Sequence, residues 1–421
     1  MTPAMYVWTL VAPVIPLAYS FNWHSVLLSN HGPRSCHSIL RKSAHSDRGA
    51  SNRCRLRRCL MNGSFRTEVQ IPQWPPHLQL DYADSFFLMG SCFSDNMGSR
   101  LTQAKLEATV NPSHGIVFSP MAVCDSLDRM IGGGAYKEDD ASIIFSEAKG
   151  LWSSLDHHSS FDSTSRRGCL GGINAALETG RDSLLAATCI FITLGTAWVF
   201  RHRETGKNVA NCHKIPPYHF DRYILSVEDI AQALCRSLSK LLRANPRSRI
   251  MLTVSPVRHW RDGPVENARS KAHLLAGAHG AIDLLRSEGI GVGGGLGSAG
   301  HVSYFPSYEM VIDDLRDYRF YEADMLHPNA VAVEYVWDKL VAATFKNEAV
   351  HTMAEVNKII QATQHRPFNP KSHAHQRFLG SRLKKLDDLE RLHPSLDLGA
   401  ERAFFESQVV VEELDVSSRS R

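Results

Sequence analysis

Two short motifs in this chain contain the residue types of a covalent hydrolase site. Ser91 follows a glycine at the end of an apolar run, and Asp324-x-x-His327 precedes a helical stretch far along the chain. A hydroxyl nucleophile needs a base within hydrogen-bond distance and a third group that orients this base. We therefore predict Ser91 as the nucleophile, His327 as the base and Asp324 as the orienting carboxylate.

Each of these assignments has a plainer alternative. Serine is a frequent helix N-cap, so Ser91 could instead begin the helix that follows it. Asp324 and His327 could be a surface acid and a helix-start histidine in a chain that contains 21 histidines. Cys92 competes with Ser91 as the nucleophile, because a helix N-terminus favours a thiolate.

The alternation of short apolar runs with longer helical stretches predicts an α/β fold. Buried strands are predicted at residues 85–89, 188–194 and 249–254. Helices are predicted at residues 95–107, 227–245, 271–288 and 330–346, and the Gly-rich stretch 292–300 is predicted as a loop or disordered insert. Strands separated by helices indicate a parallel sheet, and functional groups collect at the carboxyl edge of such a sheet. Ser91 falls at that edge.

The chain divides into three predicted segments: a targeting or disordered extension at 1–64, an α/β body at 65–350, and a helical tail at 351–421 that packs on the body and frays at its end. The extension begins with a short apolar stretch that resembles a signal-peptide core. A Ser/Arg-rich, nearly acid-free stretch follows it, as in organelle transit segments. We predict a bipartite plastid address; secretion, mitochondrial import and an internal start at Met61, which would give a cytoplasmic protein, are the alternatives.

Composition excludes several classes of function. The net charge of +4 comes largely from the N-terminal extension, so the nearly neutral body predicts no nucleic-acid partner. The apolar start is too short and too interrupted by proline to form a stable membrane span. Nine cysteines without a Cys-x-x-Cys pair indicate neither a disulfide framework nor a metal centre. Adjacent histidines at His157 and His158 would face opposite sides of a strand and could not share one ion.

Further sequence blocks lie between and around the two motifs. They are Gly90-Ser-Cys-Phe-Ser94, Asn111-Pro-Ser-His-Gly115 and the stretches 152–161, 194–198, 211–216, 253–258, 266–271, 304–309 and 317–329. Together these blocks resemble the GSCFA family from about Phe65 to Phe378. That family is similar to the SGNH or GDSL hydrolases. The resemblance implies a three-layer, flavodoxin-like parallel sheet flanked by helices, and an enzyme that cleaves or transfers acyl groups, often acetyl from carbohydrate.

The resemblance also implies the groups that would stabilise an oxyanion. These are the backbone N–H groups of Ser91 and Gly115. GDSL enzymes carry Gly-x-Asn after the third strand, where this chain has Gly195-Thr196-Ala197, so Thr196 or Asn111 is the candidate replacement for the asparagine. Further candidates for contact with the substrate, for which ordinary structural contacts are the alternative, are His158, His259 and the pair Glu266 and Lys271.

We therefore predict a serine acyl-ester hydrolase that acts on a small-molecule or carbohydrate acyl ester through an acyl-serine, without a metal or organic cofactor. An O-acyltransferase with the same site is one alternative. The other is a catalytically inactive SGNH-like module that binds a glycan, because losing one oxyanion donor typically lowers the rate about a hundredfold or more.

Overall fold

Strands and helices alternate along most of the chain in this computed structural model, which describes residues 68–290, 301–394 and 396–410. The strands are β1 (Ser85–Gly90), β2 (Glu107–Val110), β3 (Ile143–Ser146), β4 (Leu151–Ser154), β5 (Cys189–Leu194), β6 (Trp198–His202), β7 (Asn208–Val209), β8 (Phe220–Ile224), β9 (Arg249–Val254) and β10 (Val302–Phe305). The helices are α1 (Cys92–Gln103), α2 (Pro120–Gly132), α3 (Arg166–Ala186), α4 (Val227–Ala244), α5 (Gly263–Ser287), α6 (Ala330–Thr344), α7 (Asn347–Thr363), α8 (His373–Leu392) and α9 (Gly399–Glu406). Short helical turns lie at Ser159–Phe161, Pro217–His219, Trp260–Asp262, Ser307–Glu309, Met310–Leu315 and Tyr318–Phe320.

The central sheet consists of five parallel strands in the order β10-β9-β5-β1-β2. Counted along the chain among themselves, these strands have the flavodoxin-like order 2-1-3-4-5, which confirms the predicted fold class. The order reverses between β1 and β5, and open α/β sheets bind their ligands outside the carboxyl ends of the strands at such a point. Two smaller antiparallel sheets, β3-β4 and β7-β6-β8, are separate from the central one.

Helices cover both faces of the central sheet, which gives the predicted three layers. Successive side chains of a strand point to opposite faces: Phe87 and Met89 enter one apolar cluster, and Phe86 and Leu88 enter the other. Helices α2, α3, α4 and α5 complete the first cluster. Helices α1, α6 and α7 complete the second. Every residue of β5 is buried, as expected for a central strand with both faces covered.

Several helix ends differ from the sequence-based prediction. Helix α1 begins at Cys92, whereas the apolar pattern suggested a start near Asp95, because Ser91 already caps the helix. Helix α5 begins at Gly263, two turns before the predicted start at Lys271, with a proline in its first turn that favours helix initiation. The predicted targeting segment 1–64 and the Gly-rich stretch 292–300 lie outside the described residues.

The C-terminal helices contribute a smaller apolar core of their own. It includes Val356 from α7, Leu379 and Leu386 from α8 and Phe405 from α9. These helices contact the body: Lys105 pairs with Glu401 at 2.8 Å, and the Tyr82 and His393 rings lie 5.3 Å apart. The predicted boundary between residues 350 and 351 falls inside α7. No helix in the described part of the chain is long and apolar enough to cross a membrane.

The packing of α4 against α5 depends on a small residue at Gly277. A Cβ atom there would lie 2.5 Å from Cγ2 of Ile230, and overpacking of this kind typically destabilises a protein by about 1–3 kcal/mol. We expect Gly277→Ala to lower the urea midpoint of unfolding accordingly. Gly172→Ala is the matched control, because nothing lies within 4 Å of that position on α3, and alanine should raise stability there by up to about 1 kcal/mol. Equal shifts in both variants would contradict this account.

Candidate active site

The turn after β1 places two nucleophilic side chains at the carboxyl edge of the sheet. Gly90 has a φ of 131°, and a Cβ atom there would lie 2.1 Å from the Thr193 carbonyl oxygen, so only glycine lets β1 end this close to β5. Ser91 is 3 % exposed and caps α1: its Oγ accepts a hydrogen bond from the Phe93 N–H at 3.2 Å. Cys92, the first residue of the helix, is partly exposed.

Asp324 and His327 form the carboxylate–imidazole pair that their spacing predicts. Nδ1 of His327 lies 2.6 Å from Oδ2 of Asp324. Oδ1 of Asp324 accepts the backbone N–H groups of Leu326 and His327, at 2.8 and 3.1 Å. These three bonds lower the pKa of Asp324 to about 2, so the carboxylate is ionised at neutral pH. It holds the imidazole proton at Nδ1, which leaves the lone pair of Nε2 available to accept a proton.

This loop is attached to the segment that follows β9. The Arg258 backbone N–H donates to the Leu326 carbonyl at 3.1 Å, and its guanidinium donates to the Met325 carbonyl at 3.1 Å. Met325 has a φ of 60°, a left-handed conformation that completes the tight loop. The Asp324–His327 pair therefore lies on the carboxyl side of the sheet, as Ser91 does. Among the described residues no hydrogen bond joins His327 to Ser91; such bonds are often long before substrate binds.

Asn111 supports the turn after β1. Its Oδ1 accepts the Gly90 N–H at 2.9 Å, and its Nδ2 donates to Oδ1 of Asp95 at 2.8 Å. The side chain therefore joins the end of β1 to the first turn of α1, with Ser91 and Cys92 between the two anchor points. One amide hydrogen of Asn111 is donated to Asp95, so the residue predicted as an oxyanion donor also fixes the turn that carries Ser91 and Cys92.

Gly195 and Thr196 make internal contacts. The Gly195 N–H donates to the Phe118 carbonyl at 2.8 Å. The Thr196 hydroxyl lies 3.0 Å from the Ser270 hydroxyl and accepts the Trp198 N–H at 3.2 Å. Both groups stabilise the loop after β5. Ala197 stands at the third position of the Gly-x-Asn pattern and has no polar side chain, and the Thr196 hydroxyl beside it bonds within the protein.

Gly115 offers a backbone donor whose position depends on the absence of a side chain. Its φ is +68°, and a Cβ atom would lie 2.7 Å from Cβ of His158. The Gly115 N–H makes no hydrogen bond with any described residue, so it is available to a ligand. His158 itself caps a short helical turn, with Nδ1 3.1 Å from the Ser160 hydroxyl. The structure thus leaves Gly115 free and gives His158 a structural contact.

His259 and Lys271 connect the two halves of the site. The His259 ring packs 5.2 Å from the Phe118 ring. Burial, together with the nearby charges of Lys271 and His327, lowers the pKa of His259 to about 4. Lys271 is 1 % exposed, and its Nζ donates to the carbonyl oxygens of Gly195 and Ser255, both at 2.7 Å. These carbonyls lie just beyond β5 and β9, so the ammonium lies at the centre of the carboxyl edge.

The sequence suggested Lys271 only as a partner of Glu266 in substrate positioning or an ion pair. In the structure Glu266 pairs instead with Arg269 at 3.5 Å. Burial of Lys271 against the sheet is a tertiary effect, and the one sequence signal for it is the small residues around it on α5. The histidine beside the predicted His158 is also buried: His157 stacks on His114 with ring centroids 4.3 Å apart.

A cavity of about 650 Å³ lies beside the Gly115 loop. Its lining includes His114 next to this loop, and Asp125, Arg129 and Asp156. None of the predicted catalytic residues lines it. Burial, together with Asp156 and Asp128, raises the pKa of Asp125 to about 6.

The described residues form a doubly wound α/β protein in which a turn bearing Ser91 and Cys92, a carboxylate–imidazole pair and a buried lysine lie at one sheet edge. The chain belongs to the GSCFA family, whose model matches residues 85–340. A second model, the C-terminal domain of GSCFA domain proteins, matches residues 356–411. The C-terminal helices, from within α7 to α9, therefore correspond to a recognised unit of their own, which extends beyond the resemblance seen in the sequence.

Two solved structures are similar to this chain at low identity. An acetyl xylan esterase (Est2A) from the rumen bacterium Butyrivibrio proteoclasticus has 12 % identity and a TM-score of 0.31, with 62 % of this chain and 63 % of that chain covered. A carbohydrate esterase family 3 protein from Talaromyces cellulolyticus has 8 % identity and a TM-score of 0.28, with 65 % of this chain and 99 % of that chain covered. Among curated proteins, none matches this chain.

Proposed function

We propose that this protein is an acyl-ester hydrolase that works through a covalent acyl-enzyme. One observation supports the proposal: the Asp324–His327 pair, joined at 2.6 Å, lies on the carboxyl side of the sheet, as does the turn that carries Ser91 and Cys92. A base with an orienting carboxylate is what a hydroxyl or thiol needs in order to attack an ester. The resemblance to SGNH-type enzymes supports a short acyl ester of a carbohydrate or small molecule as the substrate.

Each residue of the proposed site has a separate role in the reaction. A nucleophile from the turn, Ser91 in the sequence-based prediction, attacks the ester carbonyl while Nε2 of His327 takes its proton. Asp324 stabilises the imidazolium that forms. The Gly115 N–H and the N-terminus of α1 stabilise the oxyanion. His327 then gives its proton to the leaving alcohol, and water releases the acyl group in a second attack.

The first experiment is turnover of p-nitrophenyl acetate, followed by acetate release from acetylated xylo-oligosaccharides. We expect a burst of p-nitrophenol equal in amount to the enzyme, followed by slower steady turnover, because acylation and deacylation are separate steps. A carbohydrate esterase serves as the positive control. If the protein shows neither burst nor turnover while the control enzyme reacts, the hydrolase proposal fails. The inactive ligand-binding module is then the better account.

A further inference from the structure

The two candidate nucleophiles in the turn, Ser91 and Cys92, differ in their exposure and in the hydrogen bonds that they make. Ser91 is 3 % exposed. Its Oγ accepts the Phe93 N–H at 3.2 Å, and its own N–H donates to the Thr193 carbonyl at 3.2 Å. Attack by this hydroxyl would give up the cap of α1, which contributes to helix stability. Ser91 therefore has a complete structural role in this turn.

Cys92 is more accessible than Ser91. It is the first residue of α1 and is partly exposed. Its side chain lies at the N-terminal end of α1, the end of a helix that favours negative charge. The thiolate is the nucleophilic form of cysteine, and the positive end of the helix dipole favours it.

Lys271 is a second, independent observation at the same place. Its side chain is buried, and its hydrogen-bond partners among the described residues are the carbonyl oxygens of Gly195 and Ser255, with no carboxylate. An ammonium without a counter-ion is unfavourable in the interior, and burial accordingly lowers the pKa of Lys271 to about 7.

The Gly195 carbonyl that Lys271 binds directly follows β5. The Ser91 N–H donates to the Thr193 carbonyl of β5, so Lys271 lies at the strand end next to the turn that carries Cys92. A negative charge at Cys92 raises the pKa of Lys271. A thiolate at Cys92 would therefore favour the ammonium form of Lys271 and serve as its counter-ion.

We propose that the nucleophile of this site is the Cys92 thiol, that Lys271 positions and stabilises its thiolate, and that Ser91 caps the helix. This inference rests on the proposed acyl-ester chemistry and changes the atom that carries the acyl group. His327 takes the thiol proton, the sulfur forms a C–S bond to the carbonyl carbon, and the C–O bond breaks. The alkoxide leaves with the proton from His327. Water then cleaves the thioester and returns a proton to sulfur.

The surroundings of Cys92 explain why a base is still required. Burial, followed by the Asp95 carboxylate, raises the pKa of the thiol, and the helix N–H groups and Lys271 only partly oppose this rise. A fraction of thiolate at neutral pH then depends on His327 accepting the proton. Asp95 is itself held by Asn111, so its distance from the thiol is fixed by the turn.

The test is to trap the acetyl-enzyme from p-nitrophenyl acetate by rapid acid quench and locate the adduct by peptide mass spectrometry. Neutral hydroxylamine distinguishes the two candidates, because it cleaves thioesters far faster than oxygen esters. We expect a hydroxylamine-labile adduct that Ser91→Ala retains and that Cys92→Ala reduces by on the order of 10²-fold or more. Cys212→Ala, at another partly exposed cysteine, is the matched control and should retain the adduct. Circular dichroism verifies that each variant folds.

The outcomes separate this inference from the proposed function. A hydroxylamine-resistant adduct that disappears in Ser91→Ala and persists in Cys92→Ala would overturn the Cys92 assignment while leaving acyl-ester chemistry in place. Absence of any adduct and of any turnover in the wild type would overturn both.

A separate experiment tests the role of Lys271. The rate of iodoacetamide alkylation of Cys92 is measured by peptide mass spectrometry as a function of pH. We expect the midpoint of this pH profile to shift to higher pH in Lys271→Met, because methionine keeps the buried volume and removes the cation. Asp95, His259 and His327 are present in both proteins, so the shift reports the ammonium. A merely structural lysine would leave this profile where it is in the wild type, and that result would overturn the positioning role.

Discussion

Replacing His327 with alanine is expected to lower the burst rate with p-nitrophenyl acetate by about 10²–10⁴-fold, the usual contribution of a positioned general base. The reason is that the Asp324 carboxylate, 2.6 Å from Nδ1 of His327, holds the imidazole proton there and leaves Nε2 to accept another. The expectation holds for either nucleophile, because the hydroxyl and the thiol both lose a proton on attack. Stopped-flow absorbance of p-nitrophenol measures the rate directly.

Asp324→Asn should produce a similar loss through the tautomer of His327. The amide oxygen can still accept the N–H groups that Oδ1 accepts now. The amide N–H₂, however, would face Nδ1, push the imidazole proton to Nε2 and remove the lone pair needed for catalysis. His351→Ala, at an exposed histidine on α7, is the matched control and should keep the wild-type burst. An unchanged rate in His327→Ala would assign the base to another residue, with His259 as the next to test.

The second large effect is a loss of stability in acid that originates in two buried histidines. His114 is 4 % exposed, and burial, with a smaller contribution from Arg129, lowers its pKa from 6.5 to about 3. The stacked His157 also has a pKa well below its usual value, mainly because of burial. A histidine whose folded pKa lies below its unfolded pKa favours the folded state when neutral. Its contribution is complete above about pH 6.5 and is lost as the pH falls toward 3.

The size of the effect follows from linkage. One pKa unit corresponds to about 1.4 kcal/mol. Protonation of His114 alone should therefore lower the free energy of unfolding by roughly 2–3 kcal/mol as the pH falls from about 7.5 to 4.5. Urea unfolding across this range measures it. His114→Gln should flatten the dependence, because glutamine does not titrate and can still bond to the Ser126 hydroxyl and to Tyr136, as His114 does. His351→Gln is the control and should keep the wild-type slope; equal slopes in both variants would contradict the assignment.

The central strands could be predicted because each is a short apolar run that is recognisable in the local sequence. The runs at β1, β5 and β9 contain little besides apolar residues, and such runs between helical stretches indicate parallel strands. The small sheets β3-β4 and β7-β6-β8 were not predicted. Their strands have two to five residues each, and strands this short carry too few positions for a period-2 pattern to stand out.

The contact within the candidate site between residues close in sequence could likewise be predicted, from the spacing of those residues. Asp324 and His327 are three residues apart in one loop, so their contact needs only a tight turn. Asn111 and Thr196 show the opposite case. Their neighbours in sequence give no sign that one amide would join Gly90 to Asp95, or that one hydroxyl would bond to Ser270. Such partners come from other elements and exist only after the layers have packed.

By itself the sequence determined the fold class, the family and the Asp324–His327 pair, because apolar periodicity and short-range spacing act along the chain. Only the tertiary structure decided which side chains of the turn face inward and which outward. That decision depends on the helix beginning at Cys92, which buries Ser91 in the cap and leaves the thiol partly exposed. It depends also on Lys271, whose ammonium is carried to the ends of β5 and β9 by the packing of α5 against the sheet. Burial and charge compensation depend on contacts distant in sequence, and no local pattern encodes them.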